Sequence, residues 1–143
     1  MLTMYYEPKH FVIQELVPPE IYDQYGDRAL KFLDPNMLRM WDGIRDFFGK
    51  PVIINNWHTG GQFTLRGFRP PDCKIGALLS QHKFGRAGDG GIQSYTAEMA
   101  RQVILENQKA PELQYISVME DGVAWLHADC RNIKANEIIL FKP

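Results

Sequence analysis

Two histidines and one aspartate are the residues of this 143-residue chain whose types and spacing could do chemistry. His82 and Asp89 stand seven positions apart, separated by small residues and a turn, and His127 follows much later in the chain. Two histidines and one carboxylate form the usual three-ligand set of an open zinc site, in which the fourth position is left for water. The sequence therefore predicts a zinc site made of these three side chains.

Small residues and a strand are the local features that must bring the three side chains together. The glycines and alanine between His82 and Asp89 allow the backbone to turn tightly. His127 lies in an alternating segment, and the two-residue repeat of a strand places Trp125, His127 and Asp129 on one face. We therefore expect Asp129 to lie beside the imidazole of His127.

The wider pattern predicts helices that are followed mainly by strands. Apolar residues recur at helical spacing in three segments, which are 20–33, 34–48 (begun by Asp34-Pro35) and 97–105 (capped by Thr96). Short β-branched or alternating segments predict strands at 52–57, 113–119, 123–129 and 138–141, with a hairpin turn at 120–122. We expect an α+β fold in which helices cover one face of a small antiparallel sheet and the zinc site lies on the exposed face. Residues 1–19 are expected to form an N-terminal tether, and residues 20–143 a single domain.

Composition and charge argue against several other classes of protein. The hydrophobic fraction of 45% suits one globular domain with a core of its own. A formal net charge of -1 without runs of like charge argues against a nucleic-acid binder. No stretch approaches the roughly 20 apolar residues that span a bilayer, and no signal-peptide pattern is visible. Cys73 and Cys130 lack the spacing of a metal or redox motif and are expected to be reduced.

The segment 80–89 resembles the signature of a known family. Ser80, His82, Gly85, Ala87 and Asp89 occupy the positions of the pattern Ser-x-His-x-x-Gly-x-Ala-x-Asp. This pattern is typical of the zinc D-alanyl-D-alanine carboxypeptidases and phage cell-wall endopeptidases, whose fold is shared with the hedgehog signalling domain. The similarity extends over most of the chain, since a similar helix, strand and arginine-bearing loop precede the motif.

The resemblance implies roles for individual residues and a substrate. His82, Asp89 and His127 would be the zinc ligands. Arg69 would bind the carboxylate of the substrate or hold its carbonyl, because the planar guanidinium can pair with a carboxylate through two hydrogen bonds. Ser80 is assigned with it to the substrate side of the site. The implied reaction is hydrolysis of a peptidoglycan stem peptide, by carboxypeptidase or endopeptidase action.

The resemblance also suggests a biological setting. The small size and the lack of a visible signal peptide favour a phage or prophage protein. Such a protein would reside in the cytoplasm of the producing cell or in a virion, and would act on the cell wall after release. Virion proteins are therefore possible partners.

One position departs from the catalytic pattern of the family. Catalytic members carry a glutamate or aspartate three residues before the last histidine as a general base, and this chain has Ala124 there. Candidate substitutes are Glu120 and Asp121 in the preceding turn and Asp129 in the strand. Asp129 suits orientation of the His127 imidazole, whereas Asp121 suits reaching over the metal from a loop.

Three functions therefore stay open at the level of sequence. The ligand set favours a zinc peptidase. Ala124 favours a catalytically inactive module with a peptidase-like fold, used for binding or for structure, for example as a virion component. A plain α+β domain without metal is the third.

A second departure from the pattern of the family is the glycine pair 90–91, which indicates a looser strand or a closely approaching substrate backbone.

Overall fold

The computed structural model describes residues 5–133 and 135–143. The α-helices of this part of the chain are α1 (Pro19–Tyr25), α2 (Pro35–Phe48) and α3 (Ala97–Glu106). Its strands are β1 (Val52–Ile53), β2 (Ala87–Ile92), β3 (Val118–Glu120), β4 (Leu126–Asp129) and β5 (Ile139–Phe141). Short 3-10 helices occupy Ile13–Glu15, Gly26–Phe32, Trp57–Thr59, Gln81–Phe84 and Pro111–Leu113. None of the described helices is both long enough and apolar enough to cross a membrane. The prediction of an α+β fold is confirmed.

The five strands form one mixed sheet in the order β1-β2-β4-β3-β5. The pairs β1–β2, β2–β4 and β3–β4 are antiparallel, whereas β5 is parallel to β3. The prediction of a wholly antiparallel sheet is therefore wrong at this edge. The reason is the path of the chain: β4 ends at Asp129 opposite Val118, and β5 starts at Ile139 on the other side of Val118. The chain passes around β3, and β5 consequently runs in the direction of β3.

The bounds of α2 and α3 follow from local capping, as the sequence predicts. The Asp34 carboxylate accepts a hydrogen bond from the backbone N–H of Asn36, and Gly49 ends α2 in the left-handed conformation. The Thr96 hydroxyl oxygen accepts a hydrogen bond from the backbone N–H of Met99 at the start of α3. The stripe of α2 that faces the core consists mainly of large apolar side chains: Met37, Leu38, Met40, Trp41, Ile44 and Phe48.

Several predicted elements are shorter in the structure than their sequence patterns indicate. The first helix changes at Gly26 into the 3-10 helix Gly26–Phe32. The strand predicted at 113–119 starts only at Val118. The strand predicted at 52–57 ends at Ile53, because the chain turns away at Asn55. The Asn55 side chain is buried and bonds to backbone groups of two other segments instead of continuing the ladder.

The described part of the N-terminal segment, residues 5–19, packs against the core. Its buried apolar side chains are Phe11, Ile13, Leu16 and Val17. The Asp42 carboxylate of α2 is 1% exposed. It accepts hydrogen bonds from the Tyr6 hydroxyl and from the backbone N–H groups of Lys9 and His10. A buried carboxylate with three donors is well compensated, so it holds the segment that the sequence indicates as a tether against α2.

Strand β2 lies against the indole of Trp41, which is fully buried. A Cβ atom on Gly88 would lie 2.4 Å from the indole Nε1, and one on Gly90 would lie 2.8 Å from the ring. Only glycine permits this approach of strand and ring. Because side chains alternate along a strand, the glycine face toward Trp41 directs the side chain of Asp89 to the opposite face of the sheet.

The contact with Trp41 predicts that substitution of two glycines of β2 by alanine affects the stability of the protein to different extents. Gly88→Ala should lower the free energy of unfolding by about 1–3 kcal/mol, because the new methyl group meets a buried indole. Gly91→Ala is the matched control, since a Cβ there meets nothing within 4 Å. Its effect should stay below about 0.5 kcal/mol. Chemical denaturation of both variants measures the difference, and equal losses would contradict the packing described here.

Candidate metal centre

The structure brings together the three side chains that the sequence selects. Asp89 and His127 are direct partners across β2 and β4, and His82 comes from the 3-10 helix just before β2. One potential ligand atom from each residue lies within 4.8 Å of the others. A cluster of two imidazoles and a carboxylate at these distances could hold a metal ion.

The three side chains are less accessible than expected for a site on an exposed sheet face. His82, Asp89 and His127 are 2%, 6% and 6% exposed. The expectation of an exposed face is therefore wrong at the cluster itself. The reason is the long connection before the 3-10 helix, which covers it: the carbonyl oxygen of Arg66 accepts the N–H of Asp89, and the carbonyl oxygen of Gly67 faces the His82 ring.

The orientation of His82 is fixed by its neighbours. The Ser80 hydroxyl oxygen accepts a hydrogen bond from the backbone N–H of His82 and caps the 3-10 helix, so Ser80 supports the backbone of a candidate ligand. The His82 Nδ1 lies 2.8 Å from the carbonyl oxygen of Gly67. A carbonyl can only accept, so Nδ1 carries the proton. The other ring nitrogen, Nε2, faces the cluster and lies 3.3 Å from Asp89 Oδ1.

His127 lies between two buried carboxylates. Its Nδ1 is 2.9 Å from Asp89 Oδ1, and its Nε2 is 2.9 Å from Asp129 Oδ2. Burial alone would lower the pKa of His127, but the hydrogen bonds and charges of the two carboxylates outweigh it and raise the pKa to about 9. A metal ion bound to Nδ1 of His127 would replace the proton between Nδ1 and Asp89. Nε2 would keep its hydrogen bond to Asp129.

Asp129 has the position that the alternating pattern predicts, next to His127, and it has a partner that the sequence did not reveal. The Arg131 guanidinium donates from Nε to Oδ1 at 2.8 Å and from Nη2 to Oδ2 at 2.6 Å. Burial of Asp129 would raise its pKa, but Arg131 and His127 together lower it. Asp129 therefore stays ionised and accepts the hydrogen bond from Nε2 of His127. The signal that could have found Arg131 is its two-residue spacing from Asp129.

Arg69 contacts a candidate ligand and its own loop. Its Nη2 donates to Asp89 Oδ2 at 3.2 Å, and its Nε donates to the carbonyl oxygen of Leu65 at 2.8 Å. Burial would raise the pKa of Asp89, but hydrogen bonds from His127 and His82 and their charges hold it well below its usual range. Arg69 thus binds the outer oxygen of Asp89, whereas the sequence assigned it to the substrate.

The structure places Asp121 in a different environment from Asp129. Its Oδ1 accepts the backbone N–H of Gly122 and lies 3.8 Å from Nε of Arg101 in α3. Ala124 lies in the connection between β3 and β4, because β4 starts only at Leu126. A role of Asp121 as proton acceptor stays a prediction, and Asp129 is the carboxylate that orients the imidazole.

Comparison with known proteins leaves the site to be interpreted from its own geometry. No protein-family model matches the chain, and neither a curated protein nor a solved structure matches it. The resemblance to the zinc D-alanyl-D-alanine carboxypeptidases, and the hedgehog-like fold that it implies, therefore stay predictions from the signature residues.

The pair of Asp129 and His127 predicts how the metal affinity responds to mutation. Asp129→Asn should weaken zinc binding by roughly 10- to 100-fold, because the charge that stabilises the Nε2–H tautomer is lost. Competition with a chromophoric chelator measures the affinity. Asp121→Asn, which changes a carboxylate that pairs with Arg101, should bind zinc as the wild type does. Similar losses in both variants would contradict the orienting role of Asp129.

Proposed function

We propose that the chain is a zinc-dependent hydrolase of peptide bonds, with peptidoglycan stem peptides as its substrate class. The observation that carries the proposal is the arrangement of nitrogens in the cluster. Nδ1 of His82 faces the carbonyl oxygen of Gly67, and Nε2 of His127 faces Asp129. The other nitrogen of each ring, Nε2 of His82 and Nδ1 of His127, faces Asp89. Imidazoles oriented in this way by outer partners are typical of zinc sites. The substrate class is taken from the signature at residues 80–89.

Zinc in this site would act as a Lewis acid. It would polarise a peptide carbonyl and make water nucleophilic near neutral pH. The protein's part is to hold the ligands in place. Arg69 holds the outer oxygen of Asp89, and Arg131 holds Asp129, which orients His127. Asp121 is the candidate proton acceptor, since it lies in the connection that leads into the strand of His127 and is partly exposed.

A second function is supported by a specific observation. Ala124 provides no titratable group where the family has its general base, and Asp129 is fully buried between His127 and Arg131. A module that binds the metal without hydrolysis, and that serves as a binding or structural component of a virion, would have these features. Measurements of metal content and of hydrolysis on the same sample distinguish the two functions.

The proposal predicts that zinc and activity depend on His127. Wild-type protein stripped with a chelator should bind about one zinc per chain and should then release peptide products from purified peptidoglycan, detected by mass spectrometry. His127→Ala should lose both properties, because it removes one of three ligands. His58→Ala, which changes an exposed histidine outside the cluster, is the matched control and should keep both.

Each outcome of this experiment has a defined meaning. Wild-type protein that binds no zinc contradicts the proposal. Zinc binding in wild type without any hydrolysis favours the inactive module instead. Zinc binding that survives in His127→Ala would mean that the metal binds elsewhere.

A further inference from the structure

A loop with three exposed apolar side chains precedes the 3-10 helix that contains His82. Ile75, Leu78 and Leu79 are 58%, 84% and 72% exposed. Single apolar side chains on a surface are ordinary, but three large ones within five residues of one loop are not. Such concentrations mark surfaces that bind proteins or membranes. We call these three residues the apolar tip.

The backbone of this loop is held in place by hydrogen bonds from two basic side chains. Arg69 donates from Nη1 to the carbonyl oxygen of Ile75 at 3.5 Å, and Lys83 donates from Nζ to the carbonyl oxygen of Leu78 at 3.3 Å. Gly76 has a φ of +81°, and a Cβ atom on it would lie 2.7 Å from Nη1 of Arg69. The fold therefore presents the apolar tip to the solvent on a loop of defined shape.

Basic side chains flank the apolar tip. Lys74 precedes Ile75 and is exposed, and the ammonium group of Lys83 lies against the backbone of Leu78. The ion pairs in the described part of the chain include neither lysine. Segment 70–86 has three basic residues and one acidic residue, in a chain whose formal net charge is -1. The surface around the apolar tip therefore carries an excess of positive charge.

A bilayer with anionic headgroups matches this combination of groups better than a protein surface does. Apolar side chains gain free energy when they enter the boundary between headgroups and acyl chains, and lysines beside them are attracted by the negative lipid surface. A stable protein interface takes about 20–30 residues from each partner. The apolar tip supplies three large side chains on one loop, which is enough for shallow insertion into lipid but small for such an interface.

We propose that the apolar tip inserts into the interface of an anionic phospholipid bilayer, with Lys74 and Lys83 at the lipid phosphates. The loop is linked to the cluster through Arg69, which donates to the carbonyl oxygen of Ile75 and to the carboxylate of Asp89. Docking through the apolar tip therefore holds the cluster beside the membrane surface. The inference does not rest on the proposed function, because neither zinc nor hydrolysis enters it.

Flotation of the full chain with lipid vesicles tests the proposal. Wild type should bind vesicles of equal parts phosphatidylglycerol and phosphatidylcholine at least about tenfold more tightly than vesicles of phosphatidylcholine alone. Sodium chloride at about 1 M, where the Debye length is about 3 Å, should remove this preference.

Two double variants separate the apolar and the charged contributions. Leu78→Ser combined with Leu79→Ser should weaken binding to the anionic vesicles at least about tenfold, because the burial of apolar surface is lost. Lys74→Gln combined with Lys83→Gln should weaken it by about fivefold per lysine and should leave binding to phosphatidylcholine unchanged.

Matched variants change the same kinds of residue elsewhere on the surface. Met99→Gln removes a side chain of α3 that is 50% exposed, and Lys50→Gln combined with Lys109→Gln removes two exposed lysines. These variants should bind vesicles as the wild type does. Leu79→Trp reports insertion directly, since its added emission should shift to shorter wavelength when anionic vesicles are present.

Four results would overturn the inference. They are no binding of wild type to the anionic vesicles, equal losses in the variants of the apolar tip and in the matched variants, and an unshifted emission of Leu79→Trp. The fourth is a lipid-free dimer of wild type, measured by analytical ultracentrifugation, that dissociates when Leu78 and Leu79 are both replaced by serine. The apolar tip would then bind a second copy of the chain. None of these results depends on zinc, so each leaves the proposed function to its own test.

Discussion

The position of His127 between two buried carboxylates is the constraint on which the candidate site depends. Asp89 and Asp129 are both nearly inaccessible to water, and buried charges are tolerated only when they are paired and hydrogen-bonded. Here each carboxylate has an arginine on its outer side, Arg69 or Arg131, and the imidazole between them. The cluster is thus built to hold positive charge at its centre, and this property suits either a proton on His127 or a metal ion.

The sheet provides this arrangement through the two faces of one strand. In β2 the glycines at 88 and 90 accept the Trp41 ring on the core side, and Asp89 between them points to the other side. The register of β2 against β4 then places His127 directly opposite Asp89. Core packing and ligand geometry are therefore coupled through a few residues.

Features with local causes could be predicted from the sequence, and features that depend on distant parts of the chain could not. The caps at Asp34 and Thr96 fix the starts of α2 and α3, and short spacing brings His82 to Asp89. The parallel pairing of β5 depends on how the chain passes around β3, which no local pattern encodes. The hydrogen bond from Arg69 to Asp89 could not be predicted for the same reason, since it depends on how a loop twenty residues earlier folds back onto β2.

We propose that His82, Asp89 and His127 hold one metal ion through their inward-facing atoms. Anomalous diffraction from a zinc-loaded crystal, recorded on both sides of the zinc absorption edge, tests it most directly. We expect one anomalous peak at about 2.0–2.2 Å from His82 Nε2, Asp89 Oδ1 and His127 Nδ1. A peak on the Nε2 side of His127, beside Asp129, or no peak at the cluster at all, would contradict it.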